Sequence, residues 1–221
     1  MKQLMPKQLA IHSDTLLLCE RKEIAQFVQV YMEHLQKQKI ALPQGQFLVF
    51  RSMEQLSALA QRLPSISGNE CVRRIIVFAD ASNNLEERRE LLEIIRGSDY
   101  FSKVPYCTHY FFPGRLPGKR WRHGCLEDVL LQTLREETAA AGELESLLNV
   151  GKEYLLSVDN YRREKLTNPG RNLLHAYFAA TEKYAGLSIG EAARLGAFDL
   201  ENKNFSCLRQ CLEKAGSKSM V

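Results

Sequence analysis

The stretch from Arg73 to Arg88, Arg-Arg-Ile-Ile-Val-Phe-Ala-Asp-Ala-Ser-Asn-Asn-Leu-Glu-Glu-Arg, constrains the fold of this chain more than any other. Ile75 to Ala79 is a short apolar run rich in β-branched residues, the pattern of a strand buried on both faces. Asp80 ends the run. Ser82, Asn83 and Asn84 supply turn and N-cap chemistry, and Glu86 and Glu87 fall in the first turn of a helix, where carboxylates favour the dipole. A buried strand that delivers an Asp at its C-terminal end, just before a helix, sets a carboxylate at the ligand-binding edge of an open α/β sheet.

The same strand-then-helix unit recurs. Thr15 to Cys19 is a compact apolar run ending at Glu20, and Ile24, Phe27, Val28, Tyr31, Met32 and Leu35 follow at helical spacing. Gln46 to Phe50 predicts a second strand, and Met53 to Leu63 a second amphipathic helix stopped by Pro64. The helix after Asp80 runs from about Leu85 to Arg96 and is closed by Gly97. Tyr106 to Phe112 predicts a fourth strand, ended by Pro113-Gly114, and Cys125-Leu126-Glu127-Asp128 opens the helix behind it. Strands that alternate with helices imply a largely parallel sheet covered on both faces, with right-handed crossovers. Beyond about Gly142 only helical patterns remain, over Glu143–Val158, Asn172–Tyr184, Ile189–Leu195 and Phe205–Lys214. The expected organisation is an α/β domain over residues 1–142 and a helical C-terminal extension over 143–221 packed on it.

Bulk properties exclude several classes. A hydrophobic content of 45% is too high for general disorder, and a formal charge of +4 permits an anionic partner without demanding one. No apolar run is long enough to cross a bilayer, and the N-terminus does not read as a signal peptide. The six cysteines are scattered and form no Cys-x-x-Cys, which favours reduced thiols in a cytoplasmic protein over a disulfide or zinc framework. A Gly-rich phosphate loop of the Walker type is absent.

Acidic side chains therefore fall at three βα junctions: Glu20, Asp80 and the pair Glu127-Asp128. In a parallel sheet these junctions share one edge, where gathered carboxylates repel unless a cation or proton joins them. Hard oxygen ligands suit magnesium or manganese. The alternative is that the acids cap the helices they precede. Between the fourth strand and its helix, Arg115, Lys119, Arg120 and Arg122 surround Trp121, a composition suited to nucleic-acid phosphates with an aromatic for base stacking, or to a solvated loop whose Trp packs on the domain.

In order and spacing, Leu-Leu-Leu-Cys-Glu20, Ile-Val-Phe-Ala-Asp80-Ala-Ser82 and Gly124-Cys-Leu-Glu127-Asp128 resemble the Toprim domain of topoisomerases, primases and OLD-type nucleases. They are similar above all to a group of bacterial Toprim-related proteins of unassigned function, whose C-terminal part the segment from Ala185 to Leu208 also resembles. The resemblance implies a Toprim-like, Rossmann-like four-stranded sheet, and a magnesium-dependent, nuclease-like hydrolase acting on nucleic-acid phosphodiesters. In that picture Glu20 is the catalytic acid or base, Asp80 is catalytic and the main metal ligand, and Glu127, Asp128 and Ser82 complete the metal shell. Two positions depart from the family pattern. Arg21 replaces a Gly, and Ser82 replaces a second Asp. Both weaken a divalent site, and an Arg21–Asp80 ion pair could replace the metal outright. The expectation is therefore magnesium or manganese weakly bound or absent. The companion reading is a catalytically degenerate relative that binds nucleic acid or a protein partner.

Overall fold

The computed structural model describes residues 10–114, 124–137, 141–162 and 169–217. Its centre is a four-stranded, all-parallel sheet of β1 (Thr15–Glu20), β2 (Gln46–Phe50), β3 (Arg74–Asp80) and β4 (Tyr106–Phe112), in the order β2-β1-β3-β4. Helices α1 (Lys22–Lys37), α2 (Met53–Arg62), α3 (Leu85–Arg96) and α4 (Leu126–Glu137) follow the strands in turn. The remaining helices are α5 (Ala141–Arg162), α6 (Pro169–Ala180), α7 (Ile189–Arg194) and α8 (Ser206–Ser217).

Alternation along the strands sorts the core into two layers. Leu17, Cys19, Ile76, Phe78, Tyr110 and Phe112 face one side of the sheet and pack with α1, α4 and the C-terminal helices. Leu16, Leu18, Ile75, Val77, Ala79 and Phe111 face the other and pack with α2 and α3. Both faces are thus apolar, which is why the strands read as continuous hydrophobic runs. On the first face Phe27 and Tyr31 of α1 stack at 6.1 Å and meet Phe205 at 5.4 and 5.6 Å. Leu148, Leu174, Phe178, Leu208 and Leu212 belong to the same buried cluster, so the C-terminal helices share the core of the sheet.

The strand order places the site. The chain goes outward from β1 to β2, then returns across β1 to add β3 and β4 on the other side. The order reverses between β1 and β3, and in open parallel sheets the crevice at the C-terminal ends of such a pair is where ligands sit. Glu20 ends β1 and Asp80 ends β3.

Some boundaries differ from the sequence reading. α6 starts at Pro169 and stops at Ala180, against the expected Asn172–Tyr184, since proline is tolerated in a first helical turn. α5 is longer than its pattern, spanning Ala141–Arg162. Asn84 holds the N-cap position of α3 but its side chain makes no capping hydrogen bond. Among the described residues all six cysteines are free thiols, and no helix is long and apolar enough to cross a membrane.

Candidate functional site

β1 ends at Glu20 and α1 begins at Lys22, so a single residue makes the turn. That residue, Arg21, has φ 77° and ψ 151°. This region is essentially glycine's, and a side chain there costs about 1–3 kcal/mol. The Arg21 amide donates to the Phe50 carbonyl at 2.8 Å, which pins the turn to the end of β2. Its guanidinium then reaches across the sheet edge. Nη1 donates to Glu127 Oε1 at 2.9 Å, and Nη2 donates to Glu127 Oε2 at 3.0 Å and to Asp80 Oδ2 at 2.5 Å. One planar fork thus holds two carboxylates at once, a geometry that a lysine lacks.

Glu20 is held just as completely. Arg88 of α3 grips it with Nη1 to Oε2 at 2.6 Å and Nη2 to Oε1 at 2.8 Å, and Nη1 also donates to the Asp80 carbonyl at 2.8 Å. The Asp80 amide donates to Glu20 Oε2 at 3.0 Å. Asp80 Oδ1 accepts from the Leu126 amide at 2.9 Å, so Asp80 caps α4, two elements away from the helix it precedes in sequence. Glu127 is fully buried and takes a further bond from Arg171 Nε of α6 at 3.0 Å. Asp128 reaches back to the Cys125 amide at 2.8 Å and stabilises the start of α4. Ser82, at φ 54°, exchanges backbone hydrogen bonds with Gly124 at 2.7 and 3.1 Å. That bridge ties the turn after β3 to the turn before α4.

These residues line one cavity of about 280 Å³, bounded by Glu20, Arg21, Asp80, Ser82, Arg88 and Arg171 together with Asn83, Gly124, Cys125, Asp128 and Gly170. Burial pushes the Asp80 carboxyl up to about 6; the Arg21 charge opposes this, and the neighbouring Glu127 charge adds to it. Burial acts the same way on Glu127, but the hydrogen bonds and charge of Arg21, with Arg171 behind it, outweigh it and hold Glu127 down to about 2. For Arg21 itself, burial disfavours the charged form and is outweighed by Glu127 and Asp80, so the guanidinium stays charged. Burial raises the Cys125 thiol, which makes it a poor nucleophile.

Both oxygens of each of Glu20, Asp80 and Glu127 accept a hydrogen bond. A divalent ion shared by Asp80 and Glu127 would lie against the Arg21 guanidinium that already joins them. Magnesium also demands near-octahedral oxygen ligands at about 2.0–2.1 Å. In this arrangement the residues do not fit a divalent cation, and among the described residues no group of three or more His, Cys, Asp or Glu is disposed to hold a metal ion.

Of the residues singled out from sequence, Glu20, Asp80 and Glu127 meet at this edge, with Asp128 and Ser82 on its rim. Neither Glu20 nor Asp80 caps the helix that follows it. The Arg21–Asp80 pair is present. Arg115, Lys119, Arg120, Trp121 and Arg122 lie outside the described residues. Arg88 and Arg171 were not anticipated. Arg88 closed the most informative sequence stretch but carried no assigned role, and nothing local marks Arg171.

Comparison of the chain with protein-family models, with curated proteins and with solved structures finds no match. Fold and site together define the molecule by class: an α/β protein with a four-stranded parallel sheet flanked by helices, Rossmann-like in arrangement, with a charged centre at its topological switch point.

Proposed function

We propose that this is a Toprim-like protein whose acidic centre is neutralised from within, and that it acts as a nucleic-acid-binding module instead of a metal-dependent hydrolase. The observation that carries this reading is the Arg21 fork on Asp80 and Glu127. It engages the carboxylates that a phosphodiester-cleaving enzyme would need for magnesium or manganese. Support for a nucleic-acid partner comes from the cationic sequence between Gly114 and Gly124, since Gly124 itself lines the cavity at the switch point. Arg115, Lys119, Arg120 and Arg122 are assigned to phosphates and Trp121 to base stacking.

A second reading, an active magnesium-dependent nuclease, is favoured by the meeting of Glu20, Asp80 and Glu127 at one sheet edge. It requires Arg21 to leave both of its partners.

Filter-binding titrations with single- and double-stranded oligonucleotides separate these. The binding reading expects affinity that falls with salt, and a log–log slope reduced by roughly 0.7–0.9 for each of the four basic residues replaced by Ala. Absence of binding to either strand form at low salt would sink it. Cleavage of either substrate that depends on added magnesium and disappears in Asp80→Asn would establish the enzyme instead.

A further inference from the structure

We propose that Arg21 is the resident cation of this protein: its guanidinium does for Asp80 and Glu127 what a bound divalent metal would otherwise do, and its removal turns the centre into a divalent-cation site. This rests on the reading of the centre as internally neutralised, but not on nucleic-acid binding.

Three independent observations lead here. The first is charge. Glu20, Asp80 and Glu127 contribute three negative charges and the arginines paired to them, Arg21, Arg88 and Arg171, three positive ones, while Asp128 on the rim and Glu23, 3.9 Å from Arg21, add further negative charge. Without Arg21 the negative excess grows by one, and Asp80 loses its only ion-pair partner among the described residues while remaining 7% exposed. Carboxylates brought this close need a cation or a proton.

The second is the backbone. Arg21 is held at φ 77° and ψ 151°, where only glycine is at ease. A strained position is kept by a larger return elsewhere, and the return visible here is the fork on two buried carboxylates. A surface-directed side chain would offer no such compensation. The third is that the guanidinium links separate parts of the fold. It joins the end of β1 to the end of β3 through Asp80 and to the first turn of α4 through Glu127. These are the places that a bridging metal would connect. Among the described residues Arg21 Nε is buried with no hydrogen-bond partner, so the side chain is committed through its two terminal nitrogens alone.

The test is a manganese chloride titration at pH 8, followed by calorimetry and by thermal unfolding, on wild type, Asp80→Asn, Arg21→Gly, Arg21→Lys and Arg21→Gly/Asp80→Asn. Glycine relieves the backbone strain and removes the charge together. The expected result is that Arg21→Gly binds manganese at least tenfold more tightly than wild type. Its unfolding midpoint should rise with metal, because a cation present at 100 times its Kd multiplies the folding constant by about 100. The double variant should lose both responses, and Arg21→Lys, which keeps the positive charge but not the fork, should bind manganese less tightly than Arg21→Gly. If Arg21→Gly is unfolded in chelator, recovery of the fold on adding millimolar manganese supports the proposal, and failure to recover overturns it. An Arg21→Gly variant that folds and responds to manganese no more than wild type overturns it, as does tight manganese uptake by wild type that Asp80→Asn abolishes. A failed oligonucleotide titration would leave all of these outcomes intact, so the two readings fail separately.

Discussion

Two arginine–glutamate forks in this molecule are both bidentate and have opposite surroundings. Arg88 holds Glu20 at 2.6 and 2.8 Å at the end of the sheet, and Arg194 of α7 holds Glu33 of α1 at 2.9 and 3.2 Å. The side chains of the first pair are 18% and 6% exposed, those of the second 48% and 41%. Around the second lies an open cluster in which His34 and Gln38 meet Glu201, and Arg209 meets Glu213. Water screens that cluster, and exposed pairs contribute about 0–1 kcal/mol. At the sheet end Glu20 is buried, so removing its arginine strands the carboxylate. Distance alone does not rank ion pairs; solvent does.

The largest expected effect tests that contrast directly. Arg88→Ala should cost about 3–5 kcal/mol, because Glu20 stays buried without its counter-ion. At this chain length that lowers Tm by roughly 6–20 °C. The double variant Arg88→Met/Glu20→Gln should recover much of the loss, since it removes both charges. Urea and thermal melts measure both, and an Arg88→Ala midpoint equal to that of Arg194→Ala would break the comparison.

Next comes pH. Asp80 is raised from 3.8 to about 6, so its contribution to stability is complete below about pH 4 and is lost as pH rises through 6, worth about 3 kcal/mol. Glu127 is lowered from 4.5 to about 2, so its contribution is complete above about pH 4.5 and is lost as pH falls through 2. Between pH 4.5 and 7 only the Asp80 effect of this pair remains. Urea unfolding across that window should show stability declining as pH rises, and Asp80→Asn should flatten the decline. Stability that climbs with pH in wild type and in the variant alike would contradict it.

A smaller effect is expected where α6 meets the site. A Cβ on Gly170 would lie 2.3 Å from Asp128 Oδ1, while the other oxygen of that carboxylate is tied to the Cys125 amide. Gly170→Ala should therefore cost about 1 kcal/mol through overpacking, despite the general preference of helices for Ala over Gly. A stabilised variant in thermal melts would show that Asp128 moves aside freely. The smallest effect belongs to the exposed fork. Arg194→Ala should change unfolding free energy by less than about 1 kcal/mol, and the difference should fade in about 1 M salt.

The parts of this molecule that were legible in the sequence are those fixed by near neighbours. The apolar run Ile75–Ala79 had to be buried on both faces, and β3 is. The helical spacing from Ile24 to Leu35 became the buried face of α1. The carboxylates at Glu20 and Asp80 were readable as strand ends, because a strand and the helix behind it are both local patterns. Their partners were less so. Asp80 read as a metal ligand or, alternatively, as a cap for the helix after it; it caps α4 instead, whose first turn reaches the end of β3 because β4 lies beside that strand.

Sequence by itself determined the alternation of strands and helices, the two apolar faces of the sheet, and the acids at the βα junctions. Periodicity of two or 3.6 residues acts over a few bonds, and the hydrophobic effect rewards it wherever the element finally sits. Beyond the Arg21–Asp80 pair, tertiary structure decided which charges meet. Glu20 and Arg88 are 68 residues apart, and Glu127 and Arg171 are 44 apart. Those pairs exist because β1 lies beside β3 and because α6 packs on α4, arrangements that depend on long-range packing of the whole core. Burial then fixed their strength, since a charge that water screens cheaply at the surface needs a partner where it is buried.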